Sequence, residues 1–208
     1  MDVQAADLGE LPPLSTRTRK RQERRDRVYD AAIALFVEHG FDQTSMDDIA
    51  ARAVLGRTTV FNHFPRKAAF LEEWALRRRQ RAAAALGDPD HDPDHAGRSL
   101  RDVLERYFAG LAEVNLETRR ETRALLTLSL NHSDVFLGHT LGRDLAALVT
   151  ASGEALRPST DAAQVGRLLA LGYYSAVVRW IHVDPEPFRL DAELTAVLDT
   201  VLSGALDR

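Results

Sequence analysis

The segment from Gly40 to Phe70 constrains the fold of this chain more than any other. Thr44 and Ser45 offer hydroxyls that can cap the first amides of a helix, and two aspartates follow where negative charge complements the helix dipole. Four small or apolar side chains then recur at helical spacing: Met46, Ile49, Ala50 and Ala53. Gly56 interrupts this pattern. The segment therefore predicts two short helices joined by a tight turn, with another helix starting at Lys67.

The second short helix, over residues 57–63, is predicted to have a polar outer face. Val60 and Phe64 are expected to point inward. Phe61 is expected to be a core residue that could also contact DNA. The outward side chains suit phosphates and base edges, and they are Arg57, Thr58, Thr59, Asn62 and His63. A scaffold helix that holds such a helix in the major groove is the layout of a DNA-reading helix-turn-helix. The full predicted DNA-contacting set is Arg17, Arg19, Lys20, Thr44, Ser45, Arg57, Thr58, Thr59, Phe61, Asn62, His63 and Lys67, with Thr44 as a cap first and a phosphate donor second.

A first helix precedes this motif. Its apolar positions recur at helical spacing, and Gly40 suits the residue that follows a helix end near His39: the repeat is Val28, Ala31, Ala32, Leu35 and Phe36. A run of basic residues lies just ahead of this helix and within it. We predict that the run follows a phosphate backbone or enters a minor groove. For Arg24 and Arg25, DNA contact and a solvated helix start both remain open.

At these residues the chain resembles the TetR family of one-component transcriptional regulators. The matching positions are Ala34, Leu35, Phe36, Gly40, Phe41, Thr44, Ile49, Ala50 and the run from Arg57 through Thr59, Val60, Phe61, His63 and Phe64 to Lys67. The combination covers about fifty residues and is far more specific than one short motif. The resemblance implies an all-α homodimer whose N-terminal helices bind a palindromic operator. It also implies a C-terminal helical domain for dimerisation and ligand binding.

Three positions depart from the family pattern. Val54, Leu55 and Gly56 stand where the turn usually carries glycine, an aliphatic residue and serine, so the recognition helix lacks a serine cap. Phe61 replaces a frequent tyrosine, and Asn62, which could pair with an adenine edge, replaces a common aromatic residue. These changes bear on the operator sequence and not on the fold.

The charge is distributed unevenly along the chain. Residues 15–81 hold fifteen Lys and Arg against nine Asp and Glu, although the whole chain has a net charge of −4. A basic head on an acidic body suits a protein that presents one face to a polyanion. There are no cysteines, which fits a reducing cytoplasm. We expect no signal peptide and no membrane span, and therefore a cytoplasmic protein. We also expect no cofactor.

The body behind the head is predicted to be helical throughout. Helices are expected from Lys67 towards Gly87, from Ser99 with a capping box, from Arg119 to Leu130, from Asp134 to a stop at Pro158, from Asp161 to His182, and after Pro187. The Asp- and Pro-rich segment 88–97 is interpreted as a surface connector and not as a metal site. We predict a disordered tail over 1–16, a helix-turn-helix DNA-binding domain over 17–66 and a ligand-binding and dimerisation domain over 67–208.

The helix from Asp161 to His182 is apolar on both sides, so it must be covered twice. One face carries Val165, Leu168, Leu169, Tyr173, Ala176, Val177 and Trp180, and the other Leu171, Tyr174, Val178 and Ile181. We predict that this helix and the last one meet their copies in a four-helix dimer interface.

Following the resemblance, a pocket for a lipophilic small-molecule effector is placed in the body, although each member of the set is also a plausible core residue. Its predicted lining is Tyr107, Phe108, Leu111, Leu128, His132, Phe136, Tyr173, Val177 and Trp180.

The sequence therefore predicts a dimeric transcriptional regulator, a repressor released from its operator by a small molecule. An activator of the same fold and a helical protein-interaction module with degenerate DNA binding are the alternatives. No hydrolase, metalloprotease or nucleotide-binding motif is present, which argues against an enzyme.

Overall fold

The computed structural model describes residues 16–87, 97–131 and 140–206. Within these ranges the regular structure is helical: α1 (Thr16–His39), α2 (Met46–Ala53), α3 (Arg57–His63), α4 (Ala68–Ala84), α5 (Leu100–Glu117), α6 (Arg119–Asn131), α7 (Thr140–Ser152), α8 (Ala162–His182) and α9 (Leu190–Ala205). No strand occurs in these ranges apart from one isolated antiparallel bridge between Leu156 and Leu206. The all-α prediction is confirmed.

The N-terminal helices close around a cluster of aromatic rings. The rings of Phe64 and Phe70 stack with centroids 4.1 Å apart, and Phe36 meets Phe70 edge-on at 6.0 Å. Val28 and Val60 are fully buried beside them. Because α1, α3 and α4 each contribute side chains to this cluster, they bury apolar surface together.

Helix α4 contributes to this cluster through Phe70 and also packs on α5 and α6 in the body. The buried core therefore continues from α1 to α9 without a break. The division at residue 66 stays a prediction. Residues 1–15 of the predicted tail lie outside the described ranges, and Thr16 is the first residue of α1.

In the body, α8 packs between α7 and α9 at close range. A methyl group added at Gly166 would overlap the carbonyl oxygen of Gly142, and one added at Gly172 would overlap a methyl of Val197. Glycine at these two positions lets the helices approach more closely than side chains would permit.

Two expectations about the body are wrong in detail: the end of α7 and the grouping of faces on α8. Helix α7 ends at Ser152, because Gly153 adopts a positive φ of 67°, so Pro158 is not what stops it. Leu168 is 48% exposed and does not belong to the inward face of α8, whereas Ile181 is 1% exposed and belongs to the core. Residues 88–96 of the predicted connector, and residues 134–139 ahead of α7, lie outside the described ranges.

Candidate nucleic-acid interface

Ser45 caps helix α2. Its hydroxyl accepts from the Asp48 amide at 3.1 Å, and the Asp48 carboxylate accepts from the Ser45 amide at 2.8 Å. The pKa of Asp48 lies below its usual value, chiefly because its carboxylate accepts a hydrogen bond from the Ser45 hydroxyl. The box satisfies two amides that the helix start would otherwise leave free. The predicted capping role is thus found at Ser45.

Thr44 does not have the predicted role. Its side chain is buried, and its hydroxyl donates to the backbone carbonyl of Gly40 at 2.8 Å and, more weakly, to that of Leu35. Thr44 therefore ties the start of α2 to the end of α1. Contact of Thr44 with a phosphate stays a prediction.

The turn between α2 and α3 contains a strained residue. Val54 has φ 55° and ψ 47°, the left-handed helical region, which a β-branched side chain rarely adopts. Its side chain is 83% exposed, so packing does not compensate for the strain. Its amide hydrogen-bonds back to α2, and this geometry aims the chain into α3.

The recognition helix α3 is oriented by what it buries. Val60 and the capping residue Phe64 are buried, which confirms their inward direction. Of the predicted outward set, Arg57, Thr58 and Asn62 are exposed, while Thr59 and His63 are half-buried. The N-cap is Gly56, which makes no side-chain hydrogen bond, so the missing serine cap is confirmed.

Arg57 is held in place on the outer surface. Its guanidinium lies 3.1 Å from the Asp47 carboxylate and 5.3 Å from the ring centroid of Phe61. Phe61 is half-buried, so its ring packs partly inward and stays partly exposed. These two contacts restrict the conformations of the Arg57 side chain. The side chain would therefore lose less conformational entropy on binding a base.

Arg25 links three helices, a role that sequence reasoning left open. One guanidinium nitrogen donates to the carbonyl of His63 at the end of α3, and another to the Glu73 carboxylate on α4, both within 2.9 Å. The guanidinium also lies 4.3 Å from the ring centroid of Phe64. Arg25 is therefore a positioning residue for the recognition helix. Its partners lie 38 and 48 positions away in the chain, so no local pattern could have revealed this role.

Lys67 also fastens the motif from inside. Its ammonium donates to the carbonyls of Phe41 and Thr44 at 2.7 and 3.0 Å and lies 4.5 Å from the Phe41 ring centroid. These contacts tie the entry of α4 to the loop between α1 and α2. The ammonium group has three N–H donors, and these bonds use two of them. A phosphate contact by Lys67 would use the third.

The basic residues Arg17, Arg19 and Lys20 are exposed in the first turns of α1. The helix already begins at Thr16, so these three residues lie within it and not ahead of it. They form a helical extension of the motif, and Arg19 pairs loosely with Glu23 at 3.6 Å. Contact with DNA by these three residues stays a prediction.

The predicted effector-lining residues are core residues in the structure. Tyr107, Phe108, Leu111, Tyr173, Val177 and Trp180 are all at most 5% exposed, and Leu128 is half-buried against them. The rings of Phe108 and Tyr173 lie 6.5 Å apart at the centroids. His132 and Phe136 lie outside the described residues. Effector contact by this set stays a prediction.

A buried polar network lies beside that aromatic set. Arg78 on α4 is 7% exposed and donates to Asn115 at 2.6 Å and to Thr118 at 2.7 Å, both neutral side chains. Asn115 in turn donates to the Tyr173 hydroxyl at 3.0 Å. Sequence reasoning missed this network, although helical spacing from Trp74 does place Arg78 on the inner face of α4.

The described residues contain neither a metal-binding cluster nor a membrane-spanning helix. They contain no group of three or more histidines and carboxylates arranged to hold a metal ion. None of their helices combines the length and the apolar character that crossing a bilayer requires.

The geometry defines a helix-turn-helix DNA-binding protein with a helical body, and comparison with known proteins agrees. Residues 28–74 match the family model described as bacterial regulatory proteins, tetR family. The chain is 26% identical over 186 residues to the HTH-type transcriptional repressor KstR of Rhodococcus jostii, covering 86% of this chain and 81% of that protein. It is 25% identical over 193 residues to the HTH-type transcriptional regulator UidR of Escherichia coli K12, covering 89% and 94%.

Among solved structures, the chain is similar to Thermus thermophilus FadR, a TetR-family transcriptional repressor, in complex with lauroyl-CoA. The TM-score is 0.62 at 28% identity, covering 88% of this chain and 96% of that one. The chain has the TetR family's DNA-binding domain over residues 28–74 and that family's all-α fold. It is accordingly a DNA-binding regulator and not an enzyme.

Proposed function

We propose that the protein is a homodimeric repressor that binds a palindromic operator through α1–α3 and leaves it when a lipophilic small molecule enters the body. The observation that carries the DNA-binding part is the outer surface of α3. There Arg57, Thr58 and Asn62 are exposed while Val60 is buried, so the helix is anchored on one side and presents base-reading groups on the other.

The dimer is supported by the outer face of α8. Leu168 and Leu171 are 48% and 47% exposed, and they lie on the same helix face as the half-buried Val178. A second copy packed on this face and on α9 would cover side chains that a monomer leaves in water. Two recognition helices would then have to lie about 34–36 Å apart to read successive major grooves.

Effector release is proposed to act through α4. Arg78 lies on the inner face of this helix, beside the predicted pocket. Its guanidinium donates hydrogen bonds to Asn115 on α5 and to Thr118, the residue that follows α5. Its Glu73 side chain is bonded to Arg25, which holds the end of α3. An occupant that displaced Asn115 or Thr118 would shift α4 and change the separation of the recognition helices. A difference in affinity of about 1–3 kcal/mol between the two arrangements is enough for a useful switch.

The proposal is tested by selecting binding sites from a random duplex pool with the full-length protein. We expect recovery of an inverted repeat that binds far more tightly than a scrambled duplex at moderate salt. Arg57→Ala should remove most of this preference. Arg143→Ala, which removes an exposed arginine on α7, should leave it unchanged.

Two alternatives predict other results. A protein-interaction module with degenerate DNA binding would yield no repeat and only a salt-sensitive, sequence-independent affinity. An activator would select the same kind of repeat, and a reporter gene placed behind the selected site would separate it from a repressor. Because its proposed partner is chromosomal DNA, we propose that the protein acts in the cytoplasm.

A further inference from the structure

An open groove of 530 Å³ lies between α1 and the corner where α5 meets α6. Its α1 wall includes an apolar strip made by Ile33, Ala34 and Val37, of which the last two are half-buried. None of the predicted effector-lining residues that the structure describes contributes to it. The groove thus joins the DNA-binding helices to the body at a place separate from the proposed effector pocket.

The charges that line the groove are mostly negative. Four carboxylates face one guanidinium, that of Arg120. Two of the four, Glu38 and Glu117, form ion pairs with arginines outside the lining. The other two, Asp30 and Glu121, have no ion pair among the described residues, and one oxygen of Glu121 accepts from the indole of Trp74. Arg120 and the two paired arginines offset most of the four negative charges, and the groove keeps a net negative charge.

Tyr29 adds an independent indication that the groove suits a ligand. The residue lines the groove and is only 8% exposed, yet its hydroxyl makes no hydrogen bond with any described residue. Burial, and then the charge of Glu121, raise the pKa of this phenol, so it stays protonated. The hydroxyl reaches the open groove, where a ligand can supply the hydrogen-bond partner that the described residues do not.

We propose that this groove binds a small organic cation in which an ammonium group is attached to an apolar body. The ammonium group is held by the carboxylates of Asp30 and Glu121 and donates to the Tyr29 hydroxyl. The apolar body covers Ala34 and Val37. Charge-assisted hydrogen bonds in a partly enclosed groove give selectivity for a cation over a neutral or anionic analogue of the same shape.

The site has a consequence for regulation. A ligand that bridges α1 and α6 restrains the DNA-binding helices relative to the body. By linkage, such a cation must bind the DNA-bound and free proteins differently if their interdomain angles differ. Binding of the cation itself does not depend on DNA or on the proposed repressor function.

The test is calorimetric titration of the full-length protein, without DNA, with phenethylammonium chloride at low salt. We expect saturable binding of one cation per chain. 2-Phenylethanol should bind about tenfold more weakly, the change expected when a charged hydrogen bond is lost, and phenylacetate should not bind. Equal heats from all three compounds, or no saturable heat from the cation, would overturn the proposal.

Variants locate the site. Asp30→Asn with Glu121→Gln should weaken phenethylammonium binding at least about tenfold while keeping an acceptor for Trp74. Glu113→Gln with Glu186→Gln removes two exposed carboxylates elsewhere and should leave the affinity within about twofold. If the first pair proves unstable, Val37→Arg places a guanidinium in the groove and should abolish binding. Undiminished binding by a folded groove variant would contradict the assignment.

Discussion

Replacing Val54 with glycine should stabilise the protein. An L-residue in the left-handed helical region costs about 1–2 kcal/mol, and a β-branched residue lies towards the upper end. Glycine avoids this cost but loses about 0.4–1 kcal/mol of conformational entropy on folding. The valine side chain is 83% exposed, so its removal sacrifices little packing. The net gain is about 1 kcal/mol, which corresponds to a rise in Tm of about 2–4 °C for a chain of this size.

The assay is thermal unfolding of Val54→Gly and the unchanged protein at one protein concentration, because the Tm of a dimer depends on concentration. Val54→Ala keeps the Cβ atom and should gain much less. Val183→Gly is the matched control, since that valine is 48% exposed with an ordinary φ of −118°, and it should lower the Tm. An equal fall for the two glycine variants would refute the argument that strain at Val54 is released.

Three further predictions concern coupling, protonation and packing. Arg25→Gln releases the end of α3 and should weaken sequence-specific DNA binding about tenfold by fluorescence anisotropy, whereas Arg24→Gln should change it far less; equal losses would show that only charge matters. Burial, and then three nearby arginines, hold the pKa of His63 below its usual value in the free protein. A phosphate contact would raise that pKa, so affinity should increase as the pH falls from about 7.5 to 6, and His63→Gln should abolish this pH dependence. Gly166→Ala should destabilise the fold by about 1–3 kcal/mol in denaturant melts, because it forces α7 and α8 apart. Gly204→Ala, where the added methyl meets nothing within 4 Å, should be neutral or stabilising, and similar losses at both glycines would contradict the close-packing explanation.

Local patterns in the sequence were sufficient for most helices and for the recognition surface. The apolar repeat of α2 and the exposed set on α3 depend on spacing within one helix, and such spacing can be read directly from the chain. The C-terminal limit of α7 was predicted wrongly because proline is a conspicuous stop, whereas the positive φ that ends the helix at Gly153 depends on backbone geometry.

Contacts between helices could not be predicted in the same way. Thr44 and Ser45 carry equivalent hydroxyls, and only the packing of α1 on α2 decides which one turns inward. The role of Arg25 depends on α1, α3 and α4 meeting at one point, and the groove exists only because α1 lies across the α5–α6 corner. These features follow from tertiary arrangement, which a single sequence does not encode in any local repeat.

Hydroxyl-radical footprinting on a selected operator tests the central claim most directly. If the exposed surface of α3 reads DNA in a symmetric dimer, protection should appear at two sites related by two-fold symmetry, with centres about one helical turn (roughly 34–36 Å) apart. Arg57→Ala should remove both protected sites together. A footprint confined to one site, or uniform protection that Arg57→Ala leaves intact, would contradict the account.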